Sequence, residues 1–130
     1  MIIGFTGTRK GMTRQQYIEV ERILLEYSPG TVVHGDCIGA DAEFNQIAQN
    51  INCFIVIRPS NIPSMCAHCK GRKVYPPEDP LVRNHKIVDM SHRMIACPSS
   101  KVETLRSGTW ATIRYARSIG RPIEIIYPED

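Results

Sequence analysis

The sequence contains no apolar run of 18 residues, so no segment reads as a membrane-spanning helix. Its first stretch, "MIIGFTGTRKG", lacks the basic-then-apolar order of a secretory signal and reads directly as a strand. A dense block of Lys and Arg is missing too. The net charge of +3 tolerates an anionic ligand without marking a nucleic-acid binder. Aromatic residues are scarce, at 7% with a single Trp, and do not form the row of stacking platforms that single-stranded nucleic acid requires. Cysteines are scattered and odd in number, five in all, which fits a reducing cytosol better than a disulfide framework. A cytoplasmic location is therefore expected. A second Cys pair is also lacking. Cys66-Ala-His-Cys69 supplies two ligands where a structural zinc needs four. No metal is expected, and zinc on Cys66 and Cys69 or a redox role for them are the weaker alternatives to a plain reduced pair. Cys53 and Cys97 fall within strand-like segments and read as buried apolar fillers. There are no internal repeats and no low-complexity tracts.

What is present is a regular alternation. The 130 residues suit one domain, 1–130, large enough to bury a core without staples. Segments 1–7, 31–35, 53–57, 93–98 and 123–128 are apolar and strand-like. Between them run helical patterns at 13–27, 39–50, 79–90 and 108–119. Thr13 with Gln16 three residues on is a capping-box signature, and Asp79-Pro80 is a helix start with Asp as cap and Pro in the first turn. The pattern predicts an α/β fold: a Rossmann-like, doubly wound, mainly parallel five-stranded sheet with helices on both faces. Residues 58–80 interrupt the rhythm. They hold five of the nine prolines together with Lys70, Arg72 and Lys73, and read as a loop or lid outside the core.

In such sheets ligands sit beyond the carboxyl ends of the strands, where strand order reverses. The loops that follow strands therefore hold the candidate site: "GTRKG", "HGDCIGAD", the 58–80 excursion and "RSGTW". Three of the four are rich in Gly, Ser and Thr at a helix start, where unpartnered N–H groups and the helix dipole attract anions. Ser107, Gly108 and Thr109 are the expected phosphate seat. Thr6, Gly7, Thr8 and Arg9 follow the first strand, and Arg9 is either an anion clamp or a solvated loop arginine. Gly35, Asp36, Gly39 and Asp41 form a second such loop. Asp41 is read as a cap of the turn or helix, or as a partner for a ribose hydroxyl. Arg83 and Asn84 start the third helix; Arg83 reaches the same crevice or pairs with Asp79 on the surface. His34 reads as a packed or turn-bonded histidine rather than a general base. Trp110 packs on the sheet edge or stacks on a base, the former being the commoner arrangement.

"GFTGTRKG", "HGDCIGAD", "RNHKIVD" and "RSGTWATIRYAR", in this order and spacing, resemble the SLOG superfamily. That Rossmann-like group includes the DNA-processing protein DprA and the LOG-type phosphoribohydrolases. The resemblance covers nearly the whole chain apart from roughly 59–78, and implies a nucleotide or nucleotide-derived ligand at the strand ends. It matches Gly108-Thr109 to the Gly-Thr of the LOG phosphate loop, and Arg83 to a family arginine. The LOG enzymes follow that Gly-Thr with glutamates that assist cleavage of an N-glycosidic bond. Here Trp110, Ala111, Thr112 and Ile113 follow instead. The expected function is thus binding of a nucleotide-type small molecule, as a sensor or sequestering protein, with no cofactor required. The enzymatic alternative is a nucleoside 5'-monophosphate N-glycosidase in which Asp36, Asp41 or Asp89 substitutes for the glutamates. A further alternative is single-stranded DNA binding as in DprA. The resemblance also implies helix faces able to pair in a homo-oligomer.

Overall fold

The computed structural model describes residues 1–129. Its elements in chain order are β1 (Ile2–Gly7), α1 (Arg14–Tyr27), β2 (Thr31–His34), α2 (Ala40–Asn50), β3 (Phe54–Ile57), β4 (Lys73–Val74), α3 (Pro80–Met90), β5 (Arg93–Cys97), α4 (Gly108–Ser118) and β6 (Ile123–Ile125). The helices start where the sequence signals lie. Thr13 Oγ1 accepts the Gln16 N–H at 3.1 Å while Gln16 Oε1 accepts the Thr13 N–H at 2.9 Å, closing the capping box of α1. Asp79 caps α3 through the Leu81 N–H at 3.1 Å, with Pro80 as its first helical residue.

All strand pairs are parallel, in the order β4-β3-β2-β1-β5-β6. From β1 the chain moves outward through β2 and β3, then crosses back to place β5 on the other side of β1. Strand order therefore reverses between β1 and β5, and their carboxyl ends open the crevice that the topology dictates. The sheet has six strands rather than the expected five. The additional one, β4, is a two-residue edge strand inside the 58–80 excursion, paired as Val56 with Lys73 and Ile57 with Val74. The last strand is shorter than expected, ending at Ile125.

One face of the sheet packs on α1 and α2 around Ile3, Phe5, Leu24, Val32, Phe44 and Ile47. Phe5 and Phe44 stack there with ring centroids 4.4 Å apart. The other face packs on α3 and α4 through Val33, Val56, Ile87, Val88, Met94 and Ala116. Both faces being covered explains the near-continuous apolar strands. Gln16 is fully buried; its amide donates to the Pro98 carbonyl at 2.9 Å and the Ile126 carbonyl at 2.8 Å, tying α1 to the ends of β5 and β6. No helix among the described residues is long and apolar enough to cross a membrane.

Candidate functional site

At the β1/β5 reversal lies a cavity of about 630 Å³. Its floor is the end of β1, and its walls come from the three Gly-rich loops, the start of α3 and residue 65 of the 58–80 excursion.

The first wall is the start of α4. Ser107 is the N-cap, and its hydroxyl oxygen accepts the Trp110 N–H at 3.2 Å. That leaves the Ser107 O–H free to donate outward. The Gly108 and Thr109 N–H groups, as first residues of a helix, have no acceptor within it. A Cβ added at Gly108 meets no atom within 4 Å, so the approach to this helix end is open. The arrangement is that of an anion seat.

The second wall is the loop after β1. Thr6, Gly7, Thr8, Arg9 and Lys10 line the cavity, and Thr8 fixes the loop through both of its backbone polar groups. Thr8 N–H donates to the Cys97 carbonyl at 3.1 Å, and the Thr8 carbonyl accepts the Ala40 N–H at 3.0 Å. Gly39 is what lets this loop lie on the start of α2. Its φ is 91°, and a Cβ there would overlap the Arg9 carbonyl.

The third wall joins the β2–α2 loop to α3. Arg83 is 3% exposed, buried rather than on the surface with Asp79. Its Nη1 donates to the Gly35 carbonyl at 2.5 Å and the Arg58 carbonyl at 3.2 Å, and its Nη2 to Cys37 Sγ at 3.5 Å. Its Nε is buried with no partner. Gly35 makes the seat, since a Cβ there would overlap the guanidinium. No carboxylate lies at ion-pair distance from Arg83 among the described residues. Asp41 is buried in the same wall, where Oδ2 accepts the Gly35 N–H at 3.2 Å and the Cys37 N–H at 3.1 Å. It thus caps the turn, as one reading of the sequence held. Burial raises its pKa above the ordinary value; His34, the Cys37 N–H, Arg83 and the Gly35 N–H hold it back in part. Asn84 completes this side.

Several candidate residues are not brought together with these. Asp36 points away from the cavity: Oδ1 accepts the Cys69 N–H at 2.8 Å and Oδ2 the His68 N–H at 3.2 Å. Its φ of 57° turns the chain there, and its carboxylate anchors the excursion. Asp89 lies on α3 outside this wall, accepting the Tyr115 hydroxyl at 2.6 Å. Gly39 supports the loop without lining the space. Trp110 is 4% exposed and packs with Ala96 and Ile113 under α4, not in the cavity wall. His34 is fully buried; Nδ1 accepts the Asp36 N–H at 2.9 Å, so the proton sits on Nε2, 2.7 Å from Asn45 Oδ1. Cys66 Sγ faces the Ser60 and Ile62 carbonyls, whereas Cys69 packs on the α1/α2 side of the core. No group of three metal-capable side chains gathers among the described residues.

The wall also holds residues that sequence reasoning missed: Phe5, Lys10, Cys37, Ile38, Met65, Pro80, Ile87, Ser99 and Arg106. Lys10 and Arg106 adjoin recognised stretches, and a charge census of the loops would have found them. Nothing local to Met65 marks it, because its place depends on how the excursion folds back. With Arg9, Lys10, Arg83 and Arg106 against the single buried Asp41, the cavity is basic.

No family model matches this chain, and no curated protein matches it. Solved structures do share its fold. A molybdenum cofactor binding protein from the phototrophic bacterium Rippkaea orientalis matches with a TM-score of 0.75 at 16% identity, over 98% of this chain and 77% of that one. The protein TM1055 matches at 0.68 and 15% identity, over 94% and 71%. DNA processing protein A from Helicobacter pylori, described for its single-stranded DNA binding mode, matches at 0.68 and 17% identity, over 100% of this chain and 66% of that one. The chain has the Rossmann-like α/β fold of these proteins.

Proposed function

We propose that this protein binds a nucleotide or nucleotide-derived small molecule in the cavity at the carboxyl ends of β1 and β5. The phosphate sits at the start of α4, on the Gly108 and Thr109 N–H groups and the Ser107 hydroxyl. Arg83, Arg9 and Arg106 supply positive charge, and the Gly35–Asp41 loop meets the sugar. The observation that carries this reading is Arg83. A guanidinium 97% buried, lining a cavity, with an unpartnered Nε and no carboxylate at ion-pair distance, bears a desolvation penalty that a bound anion relieves. A neighbour described as binding a molybdenum cofactor supports small-molecule binding on this fold.

A thermal-shift screen against mono-, di-, cyclic and ADP-ribose-type nucleotides tests the proposal. A ligand at about 100 times its Kd adds about 2.7 kcal/mol of stability, enough to raise the melting temperature clearly. If no phosphate-bearing compound moves it, the reading fails.

The N-glycosidase reading narrows to Asp41, the one carboxylate in the cavity wall, whose raised pKa would suit a proton donor. Against it, Oδ2 already holds two backbone N–H groups. Incubation with nucleoside monophosphates should release no free base. Single-stranded DNA binding is supported by the likeness to DNA processing protein A, but Phe5 is the one aromatic residue in the wall and is 1% exposed. Oligonucleotide affinity falling steeply with salt would favour that reading instead.

A further inference from the structure

Cys37 and Cys66 are separated by 28 intervening positions, yet their backbones form an isolated antiparallel bridge. The Ile38 N–H donates to the Met65 carbonyl at 3.0 Å and the Ala67 N–H to the Asp36 carbonyl at 2.8 Å. These bonds flank the pair, which makes Cys37 and Cys66 a directly opposed, non-hydrogen-bonded pair. Such pairs have Cα atoms about 4.5 Å apart and side chains on one face. Disulfides span Cα separations from about 4.4 Å upward, so the backbone is already placed for a bond. Both thiols are half-buried, and both now rest on carbonyls or on Arg83 rather than on each other.

We propose that Cys37 and Cys66 form a reversible disulfide that staples the outer segment around Met65 to the β2–α2 loop at the cavity rim. The oxidant is a small-molecule disulfide. The Cys66 thiol loses its proton and attacks one sulfur of that compound, whose S–S bond breaks and releases one thiol. The deprotonated Cys37 sulfur then attacks Cys66 Sγ and expels the second thiol. The protein gives up two protons and two electrons, and the oxidant takes up both. A small rotation about each Cβ suffices, and the Arg83 contact to Cys37 Sγ is lost as the bond forms.

The nearer partner in sequence, Cys69, is not the nearer partner in the fold. Its N–H is held by the Asp36 carboxylate, and its side chain packs against the core. Burial and that carboxylate push its thiol up to about 12, but burial and Asp41 push Cys37 up to about 11 as well, so placement rather than acidity separates the two. Met65 and Cys37 both line the cavity, so the staple fixes two of its walls together. The link forms or fails irrespective of what the cavity binds.

The experiment treats the folded protein with oxidised glutathione, blocks remaining thiols under denaturing conditions, and maps disulfides by mass spectrometry after cleavage at glutamate. Cleavage after Glu43 and Glu78 places Cys37 on one peptide and Cys53, Cys66 and Cys69 on another, and fragmentation of the linked peptides identifies the cysteine joined. The expected product joins the two peptides, persists in Cys69→Ser, disappears in both Cys37→Ser and Cys66→Ser, and reverses with dithiothreitol. Amide exchange across 61–68 slows on oxidation and recovers on reduction. A Cys66–Cys69 link in the wild type, glutathione adducts alone, or no oxidation at all would overturn the proposal.

Discussion

At the scale of single residues, the site rests on two features: the Gly108 and Thr109 N–H groups at the start of α4, which have no acceptor within the helix, and a buried arginine whose Nε has no partner. Gly108→Asp separates these. The side chain has room, because a Cβ there meets no atom within 4 Å, and an aspartate is favourable in a first helical turn. Its carboxylate occupies the positive helix end and repels a phosphate by several kcal/mol, taking an effective dielectric of about 20. Calorimetry with the nucleotide found by the thermal-shift screen should show binding abolished and the unliganded melting curve native-like. Unchanged affinity would place the ligand elsewhere and reduce the stretch to a turn. Arg83→Ala should weaken the same ligand by about 1.5–3 kcal/mol, the range for a charged hydrogen bond. Gly35→Ala offers an independent check, since its Cβ displaces the guanidinium from its seat. It should lower affinity as Arg83→Ala does while leaving the charge in place, and calorimetry on both variants compares them directly.

At the scale of elements, the sequence announced most boundaries through local chemistry. Thr13 and Gln16 bond each other within four residues, Asp79 and Pro80 adjoin, and the apolar strands are covered on both faces, so each signal is complete within its own segment. β4 was not legible for the same reason turned around. Lys73 and Val74 are exposed, and what makes them a strand is β3, whose Ile55 and Ile57 carbonyls accept the Arg72 and Tyr75 N–H groups at 2.8 and 2.9 Å. Asp36 misled in a similar way. It sits in a Gly-rich loop that faces a ligand crevice, but a positive φ turns its carboxylate to the 66–69 segment. We propose the excursion as a lid: it adds Met65 to the cavity wall, while Cys69 and Tyr75 are the side chains it packs against the cores. Amide exchange should reflect that division. Residues 61–68 are expected to exchange well before β1 and β5, with Arg72 and Tyr75 slower than the residues around Met65. Protection across 61–68 equal to that of the central strands would make the segment part of the core.

For the whole molecule, the crevice follows from strand order alone, and the pairing of β1 with both β2 and β5 opens it where the crossovers diverge. What strand order does not convey is the cost of placing Asp41 there. Its carboxyl is buried under the turn, and burial raises its pKa above the ordinary 3.8. A raised pKa in the folded state means that the native protein holds this proton more tightly than the unfolded chain. Stability from this group is then fully present below pH 3.8, falls as pH rises through the raised folded value, and levels off beyond it. Each tenfold weakening of acidity corresponds to about 1.4 kcal/mol lost across that window. Asp41→Asn removes the titration and keeps an oxygen able to accept the Gly35 and Cys37 N–H groups. Denaturant unfolding of both proteins, followed from about pH 4 to about pH 7.5, should therefore show the variant gaining on the wild type as pH rises. A difference that stays flat across that range would mean that Asp41 ionises in the fold as it does in water, and that the turn, rather than the proton, is all it supplies.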